Sequence, residues 1–268
     1  VTGWLYTLPP SPDAPHGLGR HVHHDPRSLE FAAPVLPRVA LESHRWTRRA
    51  PVFDQGQTSS CVGNAAAGWI VTDNATRPGL TAVAGRVVDE SYALEVAYHL
   101  ATELDDFPGE YPPDDEGSSG LGAAKALKSL GLCSSYTHAF TVQALETALQ
   151  SGPVLVGVTW YNSMFSPDAD GVVPVDVSSG QAGGHELCVD ELDLERGWVG
   201  FTNSWGVGWG SSGRGFFRFE DLASLLRDDG DCVIPAAPVA PGPPPFPSRS
   251  SWIRRLLRWL ARVLGVQG

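Results

Sequence analysis

The hydrophobic period changes once along this chain, at Ser151-Gly152-Pro153. Before that point apolar residues recur at helical spacing; after it they alternate or run in short apolar stretches. The spacing predicts helices over 59–72, 90–104, 120–131 and 141–150. Ser59 or Ser60 is placed to cap the first, and Gly131 to close the third. Residues 105–117 are a loop heavy in Pro and acid. VLVGVTW (154–160), HELCVDEL (185–192), WVGFTNSW (198–205) and GFFRF (215–219) read as strands between Gly-rich turns. Helices first and strands second make an α+β protein. The expected architecture is a helical half packed on an antiparallel β half, with a cleft between them.

The flanks read differently. Residues 1–40, rich in Pro, His and Gly, are expected to be an extended arm lying on the 41–234 body. Within the arm, His21, His23, His24 and Asp25 lack a further ligand set. They read as a solvated loop, and no metal or other cofactor is assigned. Residues 235–249 form a stiff Pro-rich linker, and 250–268 a cationic amphipathic helix. Arg254, Arg255, Arg258 and Arg262 share one arc of that helix. Trp252, Ile253, Leu256, Leu257, Leu260, Val263 and Leu264 fill the other side. This pattern fits a helix lying on an anionic membrane surface at 251–264; docking on the acidic body or on a partner is the alternative.

Charge is unevenly spread. The net charge is -11, yet no acid follows Asp231. An acidic body repels phosphate, so nucleic acid is not an expected partner. No stretch of about 20 apolar residues is present, and the N-terminus lacks a signal-peptide pattern. A cytoplasmic or membrane-surface location is expected; nothing in the sequence bears on oligomeric state. There are four cysteines. With one used as a catalytic thiol, Cys133, Cys188 and Cys232 could form at most one disulfide, which is no disulfide framework.

Chemistry concentrates in three segments. Cys61 ends Gln55-Gly-Gln-Thr-Ser-Ser-Cys61, where the first turn of the 59–72 helix belongs. A helix N-terminus favours the thiolate, the nucleophilic form of cysteine. The Gln55 side-chain amide and the Cys61 backbone N–H could together hold an oxyanion. His185, at a strand start after Gly183-Gly184, could take the thiol proton and return it to a leaving amine. Asn203, in Phe201-Thr-Asn-Ser-Trp205-Gly-Val-Gly-Trp209-Gly, could accept from one ring nitrogen of His185 and fix its tautomer. Trp205 could cover that bond and exclude water.

The order Gln…Cys…His…Asn and the run NSWGxGWGxxGxGFFRF resemble the papain family of cysteine peptidases, from about His44 to Cys232. The resemblance implies a papain-like fold whose catalytic domain is 41–234. It makes Gln55 the oxyanion-hole residue, Cys61 the nucleophile, His185 the base, Asn203 its orienting amide and Trp205 the shield. Gly117 and Ser118 match the stretch whose backbone pairs with a substrate strand. Thr58 stands where some members carry a disulfide cysteine, and Val62 replaces the usual Trp. Both departures suggest a disulfide-poor bacterial or bacteriophage branch. Glu186 falls on the position lining the pocket for the second residue upstream of the scissile bond. There it would favour Lys or Arg; alternatively it points to solvent or raises the His185 pKa.

The expected function is therefore peptide-bond hydrolysis through a Cys61 thioester, with a peptide or protein as substrate. Cleavage of peptidoglycan cross-links, or non-catalytic peptide binding in a retained cleft, are the alternatives.

Overall fold

The computed structural model describes residues 4–238. The expected amphipathic helix, and the linker from residue 239 on, lie outside them.

The arm begins as a two-stranded pair, β1 (Trp4–Tyr6) against β2 (Val22–His24). Two 3-10 turns follow, Pro26–Phe31 and Arg38–Ala40. The histidine cluster is not a solvated loop: His21 is buried, and His23 and His24 belong to β2. The short strand β3 (His44–Arg45) then leads to α1 (Cys61–Val71). Every residue of α1 is buried. A helix apolar on all sides belongs at the centre of a fold, and α1 lies between the other helices and the sheet. Ser60 occupies its N-cap, but the hydroxyl makes no capping bond. It pairs with Thr58 Oγ1 and accepts from Asn64 Nδ2 instead.

A small hairpin, β4 (Ala82–Val83) and β5 (Arg86–Val87), precedes the next helix. The helix expected over 90–104 is present and continuous, with a π-turn at its centre: α2 (Glu90–Tyr92), the π-turn Ala93–Tyr98 and α3 (His99–Leu104). The π-turn lies against Gly63 of α1. A Cβ there would sit 2.5 Å from the Tyr98 Cβ. The fourth helix, α4 (Gly120–Ser129), is capped by Ser119, and Gly131 follows it with φ +70°. That left-handed residue is the expected stop signal.

The remaining elements are β6 (Ser135–His138), α5 (Val142–Ala148), β7 (Val154–Tyr161), β8 (Gln181–Asp193), β9 (Trp198–Thr202), β10 (Arg214–Arg218), α6 (Phe219–Arg227) and β11 (Asp231–Ala236). The main sheet runs β10-β9-β8-β7-β11-β6, antiparallel throughout, with β3 on the far end of β8. The 198–205 strand reading is too long, since β9 ends at Thr202 and Asn203–Trp205 lie beyond it. Phe219 opens α6 rather than closing a strand.

Strand β8 divides the two cores by its alternation. Leu187 and Val189 face an aromatic-rich core with Trp160, Phe201 and Phe217. Cys188 faces the helical core, where Gly68 of α1 approaches it closely. The functional side chains gather where the start of β8 meets the start of α1.

Candidate active site

His185 is fully buried, and its Nε2 bonds Asn203 Oδ1 at 2.8 Å. A side-chain amide oxygen only accepts, so Nε2 carries the proton, and Nδ1, with no partner among the described residues, keeps its lone pair free. Trp205 stacks on the imidazole, 4.4 Å between centroids and 21° between planes. The edge of Trp160 meets the same ring at 5.0 Å. The indoles keep water from the His185–Asn203 bond, which a low local dielectric strengthens.

Cys61 is the first residue of α1, and its sulfur is wholly shielded. Backbone N–H groups of Glu186 and Val62 face the sulfur and favour its anion. Burial wins over them and pushes the thiol up to about 12. Burial likewise takes His185 down to about 4, against the pull of Asn203 and with the help of nearby His16. In this form the pair is a neutral thiol and a neutral imidazole. Gln55 lies beside them; its amide donates to the Thr58 carbonyl at 2.8 Å and accepts from Ser204 Oγ at 2.6 Å.

The shielding comes from the arm. Gly19 and Arg20 both donate their N–H groups to the Gly184 carbonyl at 3.0 Å. The Gly19 carbonyl accepts from Ser118 N–H at 2.9 Å, and His21 N–H donates to the Ser118 carbonyl at 2.6 Å. Arg20 and Ser118 thus form a parallel bridge across the groove. Of the two residues expected to pair with a substrate strand, Ser118 pairs here with the chain's own arm, while the Gly117 N–H donates to the Tyr98 hydroxyl. Trp205 Nε1 donates to the Gly17 carbonyl, and His16 stacks on the outer face of the indole at 4.7 Å. Both arm glycines are required by space. A Cβ on Gly17 would land on the Thr58 carbonyl oxygen, and one on Gly19 on the Ser59 carbonyl oxygen.

Glu186 is buried at 1% exposure, so it does not point to solvent. It lies on the opposite face of β8 from His185, whose pKa is lowered rather than raised. Neither carboxylate oxygen has a hydrogen-bond partner among the described residues. The carboxyl sits in a pocket opened by two glycines. A Cβ on Gly157 would meet Arg20 Nε at 2.5 Å, Asp231 Oδ1 at 2.6 Å and Glu186 Oε2 at 2.7 Å. One on Gly120 would meet Asp231 Oδ2 at 2.6 Å and Glu186 Oε1 at 2.9 Å. The Arg20 side chain fills this space, with Nη2 on the Asp231 carboxylate and on the Asp229 carbonyl at 2.7 Å. Burial and Asp231 hold the Glu186 carboxyl well above its ordinary pKa, with Arg20 opposing.

Gln55, His185, Asn203 and Trp205 are linked through the His185–Asn203 bond, the Trp205 stack and the Gln55–Ser204 bond. The Cys61 sulfur meets the backbone N–H of Glu186, the residue after His185; His185 Nδ1 has no hydrogen-bond partner among the described residues. Ser118 pairs with the arm, and Glu186 is buried on the opposite face of β8 from His185. Sequence reasoning missed Arg20 and Asp231. Their signals were faint: an arginine beside Gly19, and an acid ending the Asp228-Asp229-Gly230-Asp231 turn.

This arrangement defines a papain-like α+β fold. Among solved structures the chain is similar to xylellain, a cysteine protease from Xylella fastidiosa, with TM-score 0.53 and 17% identity over 84% of this chain and 97% of that one. It is also similar to digestive procathepsin L 3 of Tenebrio molitor larval midgut, with TM-score 0.50 and 16% identity over 83% of this chain and 76% of that one. No family model matches the chain, and no curated protein does.

Proposed function

We propose that this chain is a cysteine endopeptidase whose resting form is closed by its own arm. The observation that carries the reading is the His185–Asn203 pair under Trp205, beside a cysteine at a helix N-terminus. Once the arm leaves, Cys61 passes its proton to His185 Nδ1, and the sulfur attacks the peptide carbonyl carbon. The Gln55 amide and the Cys61 N–H receive the oxyanion. Collapse breaks the C–N bond, and His185 protonates the departing amine. Water, deprotonated by the same imidazole, then releases the acid from the thioester. Ser118 holds the substrate backbone as it holds the arm, with Gly117 beside it. Glu186 with Asp231 selects Lys or Arg at the second residue upstream of the cut. Four free cysteines accord with a disulfide-poor branch of the papain-like peptidases.

The test is cleavage of a peptide library by the Gly19→Ala variant, whose added methyl evicts the arm. We expect cleavage after a basic residue at the second upstream position, with loss of that preference in Glu186→Ala. Replacing Cys61 with Ala in the same background takes cleavage to the uncatalysed background. A library cut equally well without Cys61 would end the reading.

We further propose that residues 251–264, outside the described residues, hold the enzyme at anionic membranes. Liposomes containing anionic lipid should pellet a peptide of residues 248–268, and neutral liposomes should not. Absence of lipid-dependent pelleting refutes this role.

A further inference from the structure

The pocket around Arg20 is built for a guanidinium, yet Arg20 fits it poorly. A guanidinium carries five N–H donors in a planar fork. Here only Nη2 is bonded; Nε and Nη1 are buried with no partner among the described residues. Glu186, whose Oε2 lies with Arg20 Nε around the same Gly157 position, is equally unpartnered among the described residues. Two carboxyl groups face one cation, and only Asp231 is paired with it.

The misfit has a cause in the backbone. Arg20 is pinned on both sides, by Gly19 to Ser118 and Gly184 and by His21 to Ser118. Its Cα cannot shift to aim the fork at Glu186. An arginine side chain not tied to those three bonds can turn its planar face and take Glu186 and Asp231 together. Bidentate, charge-assisted pairs are the strong ones.

We propose that the pocket of Gly120, Gly157, Glu186 and Asp231 is a guanidinium switch site: an arginine side chain supplied in trans displaces Arg20 and lifts the arm off Cys61. An arginine-bearing peptide thus opens the cleft that is to cut it. This rests on the reading of the groove as the working site, but it needs no hydrolysis. The arm competes at an effective concentration on the order of millimolar, as a short tethered ligand does, so displacement requires ligand in that range.

The experiment measures iodoacetamide alkylation of Cys61 in the full chain by peptide mass mapping. N-acetyl-arginine amide is the probe, and N-acetyl-citrulline amide its uncharged counterpart. Cys133, Cys188 and Cys232 are buried and serve as internal reporters of unfolding. The expected result is a saturable acceleration at Cys61 alone, tenfold or more, by the arginine amide and not by the citrulline amide. Arg20→Ala should be alkylated fast without ligand and respond to neither compound. Three results overturn the proposal: no acceleration by arginine amide, equal acceleration by both compounds, or parallel labelling of the other three cysteines. Alkylation readily accelerated in a chain that cleaves no peptide would leave the switch standing and remove the peptidase.

Discussion

Two opposed influences act on the sulfur of Cys61, and in the proposed mechanism the arm decides which prevails. The helix N-terminus and the N–H groups of Glu186 and Val62 favour the thiolate, while dry burial favours the thiol. Removing the arm removes burial and leaves the donors in place. In the proposed mechanism Gln55 contributes only when charge develops on the substrate oxygen. Gln55→Ala, in the arm-displaced form, should therefore lower kcat by about 10²–10³ and leave KM nearly unchanged. Steady-state kinetics separate the two; a rise in KM at constant kcat would assign Gln55 to ground-state binding instead. The residues of the proposed machinery could be picked from the sequence because each sits in a short segment with its own chemistry: an amide six positions before a thiol, a histidine after two glycines, an amide before Ser-Trp. Arg20 and Asp231 were not legible. They are 211 positions apart, and nothing local to either announces the other.

At the level of elements, the loop before α1 is tied to the groove's opposite wall without a covalent link. Thr58 cannot form a disulfide. Instead the Asp115 carboxylate accepts Ser59 N–H at 3.0 and 3.1 Å and the Tyr98 hydroxyl at 2.9 Å. The same hydroxyl accepts Gly117 N–H at 2.9 Å. Tyr98 closes the π-turn, a feature found often at functional sites, and its backbone packs on Gly63 just behind the nucleophile. A single phenol thus joins Asp115, which holds the loop before α1, to Gly117. Tyr98→Phe leaves the Gly117 N–H buried without a partner and should cost about 1–3 kcal/mol, read as a lower urea midpoint. Combined with Asp115→Ala the losses should fall short of additive, because both remove one bridge; simple additivity would show the bridge is not a unit. Helices and strands with a clear period were legible in the sequence. The inner strand β11 was not, because Asp-Cys-Val-Ile-Pro-Ala is short and runs into the Pro-rich stretch. Pro235 is tolerated there because beyond Val233 the strand pairs with β6 alone. The helix α6 was hidden by Phe216–Phe219, whose aromatic run reads as strand to its end.

Across the whole molecule, the arm is the piece that sequence reasoning left vaguest, because docking by backbone bonds and two glycines leaves no period. Its seam with the body is rich in histidine. His16, His21 and His23 from the arm, and His138 from β6, all have pKa values lowered chiefly by burial. His21 is the clearest, pushed down to about 4 by burial and by the Arg20 charge, with the Glu116 backbone opposing. Its ring lies against Phe107, and its Nδ1 accepts Leu8 N–H at 3.4 Å. Undocked, the imidazole returns to its ordinary value near 6.5. Between that pH and about 4 the undocked state binds a proton that the docked state refuses. Stability of the closed form must then rise with pH across this window and be complete above it. Raised carboxyls such as Glu186 and Asp105 act in the opposite sense, so the bulk melting curve mixes both. His21→Gln isolates the histidine, since Gln keeps an acceptor and cannot titrate. The wild type should lose melting temperature relative to His21→Gln as pH falls from 6.5 to 4, and hold a constant offset above pH 7. Parallel melting curves across the whole range would mean that His21 docks as readily charged as neutral, and that acid does not loosen the arm through it.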